Sequence, residues 1–247
     1  MYDIERKEKI LQILREEKSC SVARLAKVLC FSEATIRRDL NQLDREMKVR
    51  KTFGGAEIID HYAAEVPVTV RQAENTAVKE ALARAAAALL RDNLTLFLAS
   101  STTVACILPY LTGYKGLTVI TNNPDIPKQL SSTDITVYCT GGKYLHHSNA
   151  YVGEFARSMI RSINADLMFF SARGVGLDGR ITNSSTDDDI HRAMMENAAH
   201  TCLLVDSTKI GKTYPFTFAK LKEVDTVITE RPLPETLDHA HTVIAKL

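Results

Sequence analysis

The chain has no apolar run long enough to cross a membrane, and its first residues, Met1-Tyr2-Asp3-Ile4-Glu5-Arg6-Lys7, contain no apolar signal region. Membrane insertion and export are therefore not expected, and the sequence predicts a cytoplasmic location. Cysteine is sparse: Cys20, Cys30, Cys106, Cys139 and Cys202 are odd in number, scattered, and form no C-x-x-C. That pattern excludes a disulfide framework and argues against a zinc site. Most of these thiols sit in apolar runs and read as reduced core residues. There is no internal repeat and no low-complexity tract, and no motif calls for a metal or a cofactor, so none is expected. Nor is there an overall charge to identify a partner, since the formal net charge is only +1.

What is present is unevenly distributed. The 247 residues are 45% hydrophobic and 25% charged, a globular composition suited to one large domain or two unequal ones. Residues 1–56 carry 13 Lys and Arg against 9 Asp and Glu, whereas the remainder carries 18 against 21. A basic head on an acidic body points to a polyanion partner for the head alone.

Within the head, Ile4, Ile10, Leu11 and Leu14 mark a first amphipathic helix. Ser21 caps a second, carrying Val22, Leu25, Ala26 and Leu29. A turn at Cys30-Phe31 leads to a third, opened by Ser32, an N-cap residue type whose hydroxyl accepts from the first turn. Ile36, Leu40 and Leu43 then define its buried face. Glu33, Ala34 and Thr35 lie on the leading turn, and Arg37 and Arg38 face outward. A helix pair with a tight connection presents its second member to a major groove. Val49-Arg50-Lys51-Thr52-Phe53-Gly54-Gly55-Ala56 follows, two short β-compatible stretches about a Gly-Gly turn that read as a wing. The predicted DNA interface is Ser32, Glu33, Thr35, Arg37, Arg38, Arg50, Lys51, Gly54 and Gly55. Thr35 and Arg37 are assigned to base edges, and Arg38, Arg50 and Lys51 to the backbone. The alternative is a solvated helix face in which Asp39 and Asp44 neutralise the arginines. The turn, wing and glycines in register favour DNA.

Residues 58–73 show no helical period, and Pro67 restricts Val66 to an extended conformation, so an extended linker or edge strand is expected there. In residues 74–247, a helix from Asn75 or Thr76 to Leu90 precedes apolar strands, each ending in small polar residues. Leu94–Ala99 ends in Ser100-Ser101-Thr102-Thr103 and leads into a helical stretch from Val104 to Leu111. Leu117–Ile120 ends in Thr121-Asn122-Asn123, and Ile135–Cys139 in Thr140-Gly141-Gly142-Lys143. Asp166–Phe170 ends in Ser171-Ala172-Arg173-Gly174, Thr201–Val205 in Asp206-Ser207-Thr208-Lys209, and Val224–Ile228 in Thr229-Glu230. Strands alternating with helical segments predict a mostly parallel α/β sheet. Converging polar strand ends predict a pocket for a phosphorylated or polyhydroxylated molecule. The hydroxyl-rich loop ahead of a helix is read as its anion seat. The run Thr186-Asp187-Asp188-Asp189 is read as complementing a helix dipole.

The head string Ser32-Glu33-Ala34-Thr35-Ile36-Arg37-Arg38-Asp39-Leu40, with Gly54-Gly55-Ala56 at this distance, resembles the winged helix-turn-helix of the DeoR family of bacterial transcriptional regulators. The body follows, since Thr121-Asn122, Gly141-Gly142, Val152-Gly153, Ala165-Asp166, Arg192-Ala193-Met194 and Asp206-Ser207-Thr208-Lys209 resemble the family's effector domain in order. That domain is similar in fold to sugar-phosphate isomerases and CoA transferases. The resemblance implies a regulator, most often a repressor, that binds operator DNA as a homodimer or homotetramer and is relieved by a phosphorylated sugar or related metabolite. By this likeness, together with the strand-end pattern, the ligand site comprises Ser100, Ser101, Thr102, Thr103, Asn122, Gly142, Lys143, Arg173 and Lys209. The chain departs from the family at Phe53, where His is usual. It departs again at Ala99-Ser100-Ser101, where the family loop reads Asp-x-Gly, and at Leu167, where lysine is common. The rival reading is a sugar-phosphate isomerase or deaminase with an added head. It lacks the loop acid and any convincing His–acid spacing among His146, His147, Asp178 and Asp206, so no enzymatic activity is expected.

Overall fold

The structure, a computed structural model, describes residues 3–45, 48–58, 66–184, 189–237, 239 and 241–247. The chain divides into two compact units, Met1–Val66 and Pro67–Leu247.

In the first unit, α1 (Asp3–Glu17) is followed by β1 (Ser19–Ser21), α2 (Val22–Leu29), α3 (Glu33–Arg45), β2 (Val49–Thr52) and β3 (Gly55–Ile58). Ile10, Leu14, Leu25, Ile36, Leu40 and Leu43 meet in one core with Val49 and Ala56. Their helical spacing thus places each helix's apolar stripe as expected. Ile4, expected among them, lies outside the described side chains. The Ser21 hydroxyl accepts from Arg24 N at 3.2 Å and caps α2. Cys30 ends α2 in the left-handed conformation, φ 58°, which turns the chain sharply into α3. Ser19–Ser21, where the sequence predicts only a cap at Ser21, is also a strand. It pairs antiparallel with β3, which pairs with β2. Three residues are too few to carry a period, so only the pairing reveals this strand.

In the second unit, a parallel sheet of seven strands among the described residues runs β15-β14-β12-β9-β4-β5-β6. In chain order the elements are α4 (Val68–Ala73), α5 (Thr76–Ala86), β4 (Thr95–Leu98), α6 (Leu108–Leu111), β5 (Thr118–Thr121), α7 (Asp125–Gln129), β6 (Thr136–Cys139), β7 (Lys143–Leu145), β8 (Ala150–Val152) and α8 (Glu154–Arg161). Then come β9 (Leu167–Phe170), β10 (Gly174–Val175), β11 (Arg180–Asn183), α9 (Asp189–Glu196), β12 (Thr201–Leu204), β13 (Phe216–Lys220), β14 (Thr226–Thr229) and β15 (Thr242–Ile244). The five inner strands are apolar on both sides because both faces are covered, whereas the edge strands β6 and β15 are partly exposed. Leu96, Leu98, Leu167, Phe169, Cys202 and Leu204 face one core, with α5 and α6. Phe97, Met168, Phe170 and Leu203 face the other, with α8 and α9. Aspartates tie the amino ends of neighbouring strands: Asp166 accepts from Thr95 N at 2.8 Å, and Asp225 accepts from Thr201 N and Oγ1, both at 2.8 Å. Strand order reverses at β4: the chain proceeds to β5 and β6 on one side, and β9, β12 and β14 lie on the other.

Several expectations change. Residues 68–73 are helix rather than extended chain. Val68-Thr69-Val70 is a poor helix former, but the Pro67 carbonyl accepts from Val70 N and Arg71 N, both at 3.1 Å, and the Arg71 guanidinium donates to the His147 carbonyl at 3.3 Å. Tertiary contact outweighs propensity here. Residues 59–65 of the linker and Thr186, Asp187 and Asp188 of the acidic run lie outside the described residues. The stretch Val104–Leu111 is not one helix. It is a 3-10 turn at Val104–Ile107 followed by α6, with Pro109 in the first turn of α6. The long helix from Thr76 similarly gives way to a 3-10 turn at Ala87–Leu89. Helix and strand do not alternate strictly, because the β12–β14 crossover holds β13, which pairs antiparallel with β11.

Candidate functional site

The first candidate surface is built on α3 and the β2–β3 hairpin. Ser32 caps α3: its hydroxyl accepts from Thr35 N at 3.2 Å and lies 2.9 Å from the Thr35 hydroxyl. Glu33 and Arg37 form an exposed pair at 3.1 Å one turn apart. Exposed pairs of this kind are worth about 0.3–0.5 kcal/mol, so Arg37 is available for exchange. Arg38 is exposed. Arg50 pairs across the hairpin with Glu57 at 3.2 Å and remains mostly exposed. The Lys51 side chain is exposed.

The aspartates do not neutralise these arginines. Asp39 is turned inward, 1% exposed, and meets Arg6 of α1 through two hydrogen bonds, 2.5 Å from Nε and 3.0 Å from Nη2. The same guanidinium lies over the Phe31 ring, 4.8 Å from its centroid. Asp44 accepts from the backbone N of Lys51 at 3.1 Å and so fastens β2 to α3. Sequence reasoning missed Arg6. The available signal was position: Asp39 falls on the stripe of Ile36, Leu40 and Leu43, and Arg6 precedes Ile10 by one turn.

The two glycines of the wing have separate reasons. Gly54 adopts φ +89°, which closes the two-residue turn between β2 and β3. At Gly55 an added Cβ would lie 2.5 Å from the Cys20 carbonyl oxygen, because β1 passes against it. Both positions are explained by the hairpin itself.

The second candidate site lies at the carboxyl edge of the parallel sheet, around the reversal at β4. A small, shallow cleft is lined by Ser100, Ser101 and Thr102 after β4, by Asn123, Asp125 and Gln129 beyond β5, by Ser148 and Asn149 ahead of β8, and by Val68 and Gln72 of α4 together with Ala105. The lining is almost wholly polar, and its one charged side chain is Asp125. The Asn149 amide donates to Asp125 at 2.7 Å, and the Tyr144 hydroxyl donates to Asn149 Oδ1 at 2.7 Å. The hydroxyl oxygen of Ser148, in this lining, is buried without a hydrogen-bond partner, as is that of Thr103, which lies outside the lining. Buried polar atoms are nearly always satisfied, so orphans beside a cleft are open to a ligand.

Only part of the predicted ligand set reaches this cleft. Asn122 is a brace: Oδ1 accepts from Ser100 N at 2.8 Å and Nδ2 donates to the Tyr151 carbonyl at 3.1 Å. Ser101 Oγ accepts from Thr103 N at 3.1 Å and Val104 N at 3.4 Å. The amides read as an anion seat are thereby engaged, and the short turn that follows supplies little dipole. At Gly142, φ +108°, a Cβ would meet the Val152 carbonyl at 2.7 Å. That glycine serves the packing of the β7–β8 hairpin, and Lys143 on β7 is exposed outside the cleft lining.

The cations gather instead on the β9–β12 side. Lys209 Nζ donates to Ser171 Oγ at 3.1 Å and lies 3.5 Å from Asp206, which is 2% exposed. Burial holds the Lys209 pKa below its ordinary value. Asp206 pulls it back, while the Lys79 and Arg173 charges push it further down. Lys79, on the inner face of α5 with Leu82, Ala83 and Ala86, is 5% exposed and donates to the Arg71 carbonyl. Burial lowers its pKa too. Sequence reasoning missed Lys79, Gln72, Asp125 and Asn149. Only for Lys79 was there a signal, its place on the apolar stripe of α5. Among the described residues, no group of three or more His, Cys, Asp or Glu could hold a metal ion, and no helix is long and apolar enough to cross a membrane.

Comparison with known proteins meets this geometry at both ends. A family model described as the DeoR-like helix-turn-helix domain matches residues 6–62, and one described as the DeoR C terminal sensor domain matches residues 74–231. Among curated relatives, the uncharacterized HTH-type transcriptional regulator YgbI of Escherichia coli is 31% identical over 97% of this chain and 94% of its own. The lactose phosphotransferase system repressor of Staphylococcus aureus is 29% identical over 97% of both chains. The transcriptional repressor AccR of Agrobacterium fabrum is 28% identical over 94% of this chain and 93% of its own. Among solved structures, ribose 5-phosphate isomerase A from Methanocaldococcus jannaschii is similar over 56% of this chain and 55% of that one, at 16% identity and a TM-score of 0.40. The chain belongs to the DeoR family of transcriptional regulators, with a helix-turn-helix domain ahead of a sensor domain.

Proposed function

We propose that this chain represses an operon of carbohydrate or related metabolism by holding operator DNA through α3 and the β2–β3 wing, and that a phosphorylated, hydroxyl-rich metabolite in the second unit releases it. One observation carries the DNA assignment. Asp39 is turned to Arg6 and Asp44 to the Lys51 amide, and Arg37 meets Glu33 only in an exposed, exchangeable pair, so Arg37 and Arg38 stay available to phosphate and base edges. Ser32 and Glu33 hold the helix tip, Thr35 and Arg37 reach bases, and Arg38, Arg50 and Lys51 reach the backbone. Gly54 and Gly55 shape the wing. The chain acts as a homo-oligomer, because two-fold protein symmetry matches repeated half-sites, and it works in the cytoplasm beside that DNA.

The effector assignment rests on the second unit's charge pattern. Crowded cations at Lys79, Arg173 and Lys209 suit a phosphate. The neutral cleft of Ser100, Thr102, Ser148 and Asn149, with Asp125 as acceptor, suits hydroxyls. Asp125 takes the part left open by Ala99, where the family loop carries an acid. One relative is named as the repressor of a lactose phosphotransferase system, which supports a carbohydrate-linked ligand here. We read the site as a sensor without turnover, since the acids at the neighbouring strand ends are committed, Asp206 to Thr208 and Lys209 and Glu230 to Ser207.

The test uses the full chain. Duplexes recovered by the protein from a random-sequence library should bind with an affinity that falls steeply as salt rises. Sugar phosphates should release them, and the parent sugars should do so less well. A protein that recovers no duplex at low salt refutes the DNA assignment. Release by parent sugars as strong as by their phosphates refutes the anion assignment.

A further inference from the structure

We infer that Phe53 is a wedge that enters the minor groove and partly unstacks a base step when the first unit holds DNA; this rests on the DNA-binding reading above. Phe53 is the most exposed large apolar side chain among the described residues, at 111% of its reference area, against 83% for Phe155 and 78% for Leu247. A phenyl ring in water at the tip of a hairpin contributes nothing to the fold.

The tip is also firmly held, which a merely tolerated surface residue would not require. Thr52 and Gly55 pair across the turn. Gly54, at φ +89°, lets the chain reverse in two residues, and its carbonyl accepts from Val22 N, the first residue of α2, at 2.9 Å. Gly55 lies so close to the Cys20 carbonyl that no side chain fits. The ring is therefore carried on a loop pinned to β1 and α2, so the backbone that bears it is ordered before any partner arrives.

Charge selects the partner. The strand leading to Phe53 presents Arg50 and Lys51, both exposed, and β2 itself is fastened to α3 through Asp44. An apolar tip beside cations fits a groove with phosphate walls and stacked, π-faced contents. Aromatic and aliphatic wedges are the residues that unstack and kink duplexes from the minor groove, and base–aromatic stacking tolerates any sequence.

The experiment takes the full chain and a duplex that the wild-type protein selects from a random-sequence library, with 2-aminopurine scanned through the flanks of the selected motif. Wild-type binding is expected to raise 2-aminopurine fluorescence at one step and to bend the duplex. F53A should abolish the rise and the bend and weaken binding roughly tenfold. Its salt slope should stay unchanged, because no phosphate contact is lost. F53L, which keeps an apolar wedge, should retain part of the rise. Phe53 touches no core residue, so both variants fold. Equal fluorescence and equal affinity in F53A overturn the wedge. So does a change in oligomeric state or in binding to anionic vesicles with the DNA signal intact, since the ring then serves a second copy or a lipid surface. Recovery of no duplex by the wild-type chain removes the DNA-binding reading itself, and the wedge with it.

Discussion

The two units place charge in opposite ways. In the first, cations stand in solvent on long side chains of one helix and one hairpin; Asp39 is turned inward, Asp44 is tied to backbone, and Glu33 and Glu57 meet Arg37 and Arg50 only in exposed pairs. In the second, Lys79 on α5 is buried and Arg173 and Lys209 at the ends of β9 and β12 are half-buried, while the open cleft beside the β4 loop is neutral apart from Asp125. The first arrangement suits a large polyanion met at a surface, with attraction that salt can screen. The second suits a small anion drawn out of water, where each charge acts over short range in a less polar medium. The lesson is that accessibility decides which kind of anion a cluster of Lys and Arg is suited to.

The most damaging way to break the contrast is to unpair the buried carboxylate in the first unit. Arg6→Ala leaves Asp39 buried without a partner and should cost about 3–5 kcal/mol, read by urea unfolding of the full chain followed by circular dichroism, with loss of DNA binding. Removing Asp39 as well should recover part of that cost. A double variant as unstable as the sum of the two singles would mean the pair is not the unit that matters.

In the second unit, Lys209→Met removes a charged donor worth about 1.5–3 kcal/mol. Titration calorimetry with a panel of sugar phosphates should show lost affinity and no effect on duplex binding without ligand. Because burial holds the Lys209 pKa below 10.5, its charge is lost at lower pH than for an ordinary lysine. Anion affinity should therefore fall on the alkaline side as pH rises through that depressed value, and the variant should lack this limb.

Gly55→Ala sets a Cβ 2.5 Å from the Cys20 carbonyl. It should cost about 1–3 kcal/mol by forcing β1 and β3 apart, seen as a lowered midpoint of the first unit's transition and weakened duplex binding. Arg38→Ala sharpens the contrast more gently. It should weaken binding to all duplexes alike and reduce the salt slope by about one. A loss confined to one base pair in a substituted-site binding assay would move Arg38 to the base-reading group.

The smallest effect concerns Asp225. Burial would raise its pKa, but the bonds from Thr201 N and Oγ1 outweigh that, and it sits below the ordinary 3.8. Its folded value is thus lower than its unfolded one. The stabilisation is present above pH 3.8 and is lost as pH falls through the folded value. Asp225→Ala should cost at most about 1 kcal/mol at neutral pH, given its exposure. The difference from wild type should vanish in acid unfolding curves.

The first unit's surface was legible because it lies on one contiguous stretch. Ser32, Arg37, Arg38 and the Gly54-Gly55 turn are ordered by helical period and hairpin chemistry alone. The second unit's strands were equally legible, since Leu94–Ala99 and Asp166–Phe170 are apolar runs bounded by polar turns. Its cleft was not. Asp125, Asn149 and Gln72 come from elements far apart in sequence, each a common residue in a common turn. Asn122 and Gly142, which resembled ligand contacts, act as brace and close-packed backbone once their neighbours are known. Short pairings such as β1 with β3, and the helix at Val68–Ala73, were hidden for a related reason: their stability comes from partners outside the segment.

By itself, the order of residues determined the amphipathic stripes, the caps, the winged helix-turn-helix and the succession of buried parallel strands, because each depends on spacing within a few turns. Tertiary structure alone decided that Asp39 meets Arg6, that Lys79 and Lys209 face one another's charge, and that Asp125 enters a cleft whose own loop lacks an acid. Those outcomes depend on which surfaces a fold brings within hydrogen-bond reach, and chain order does not specify a distance between residues that are separated by dozens of others.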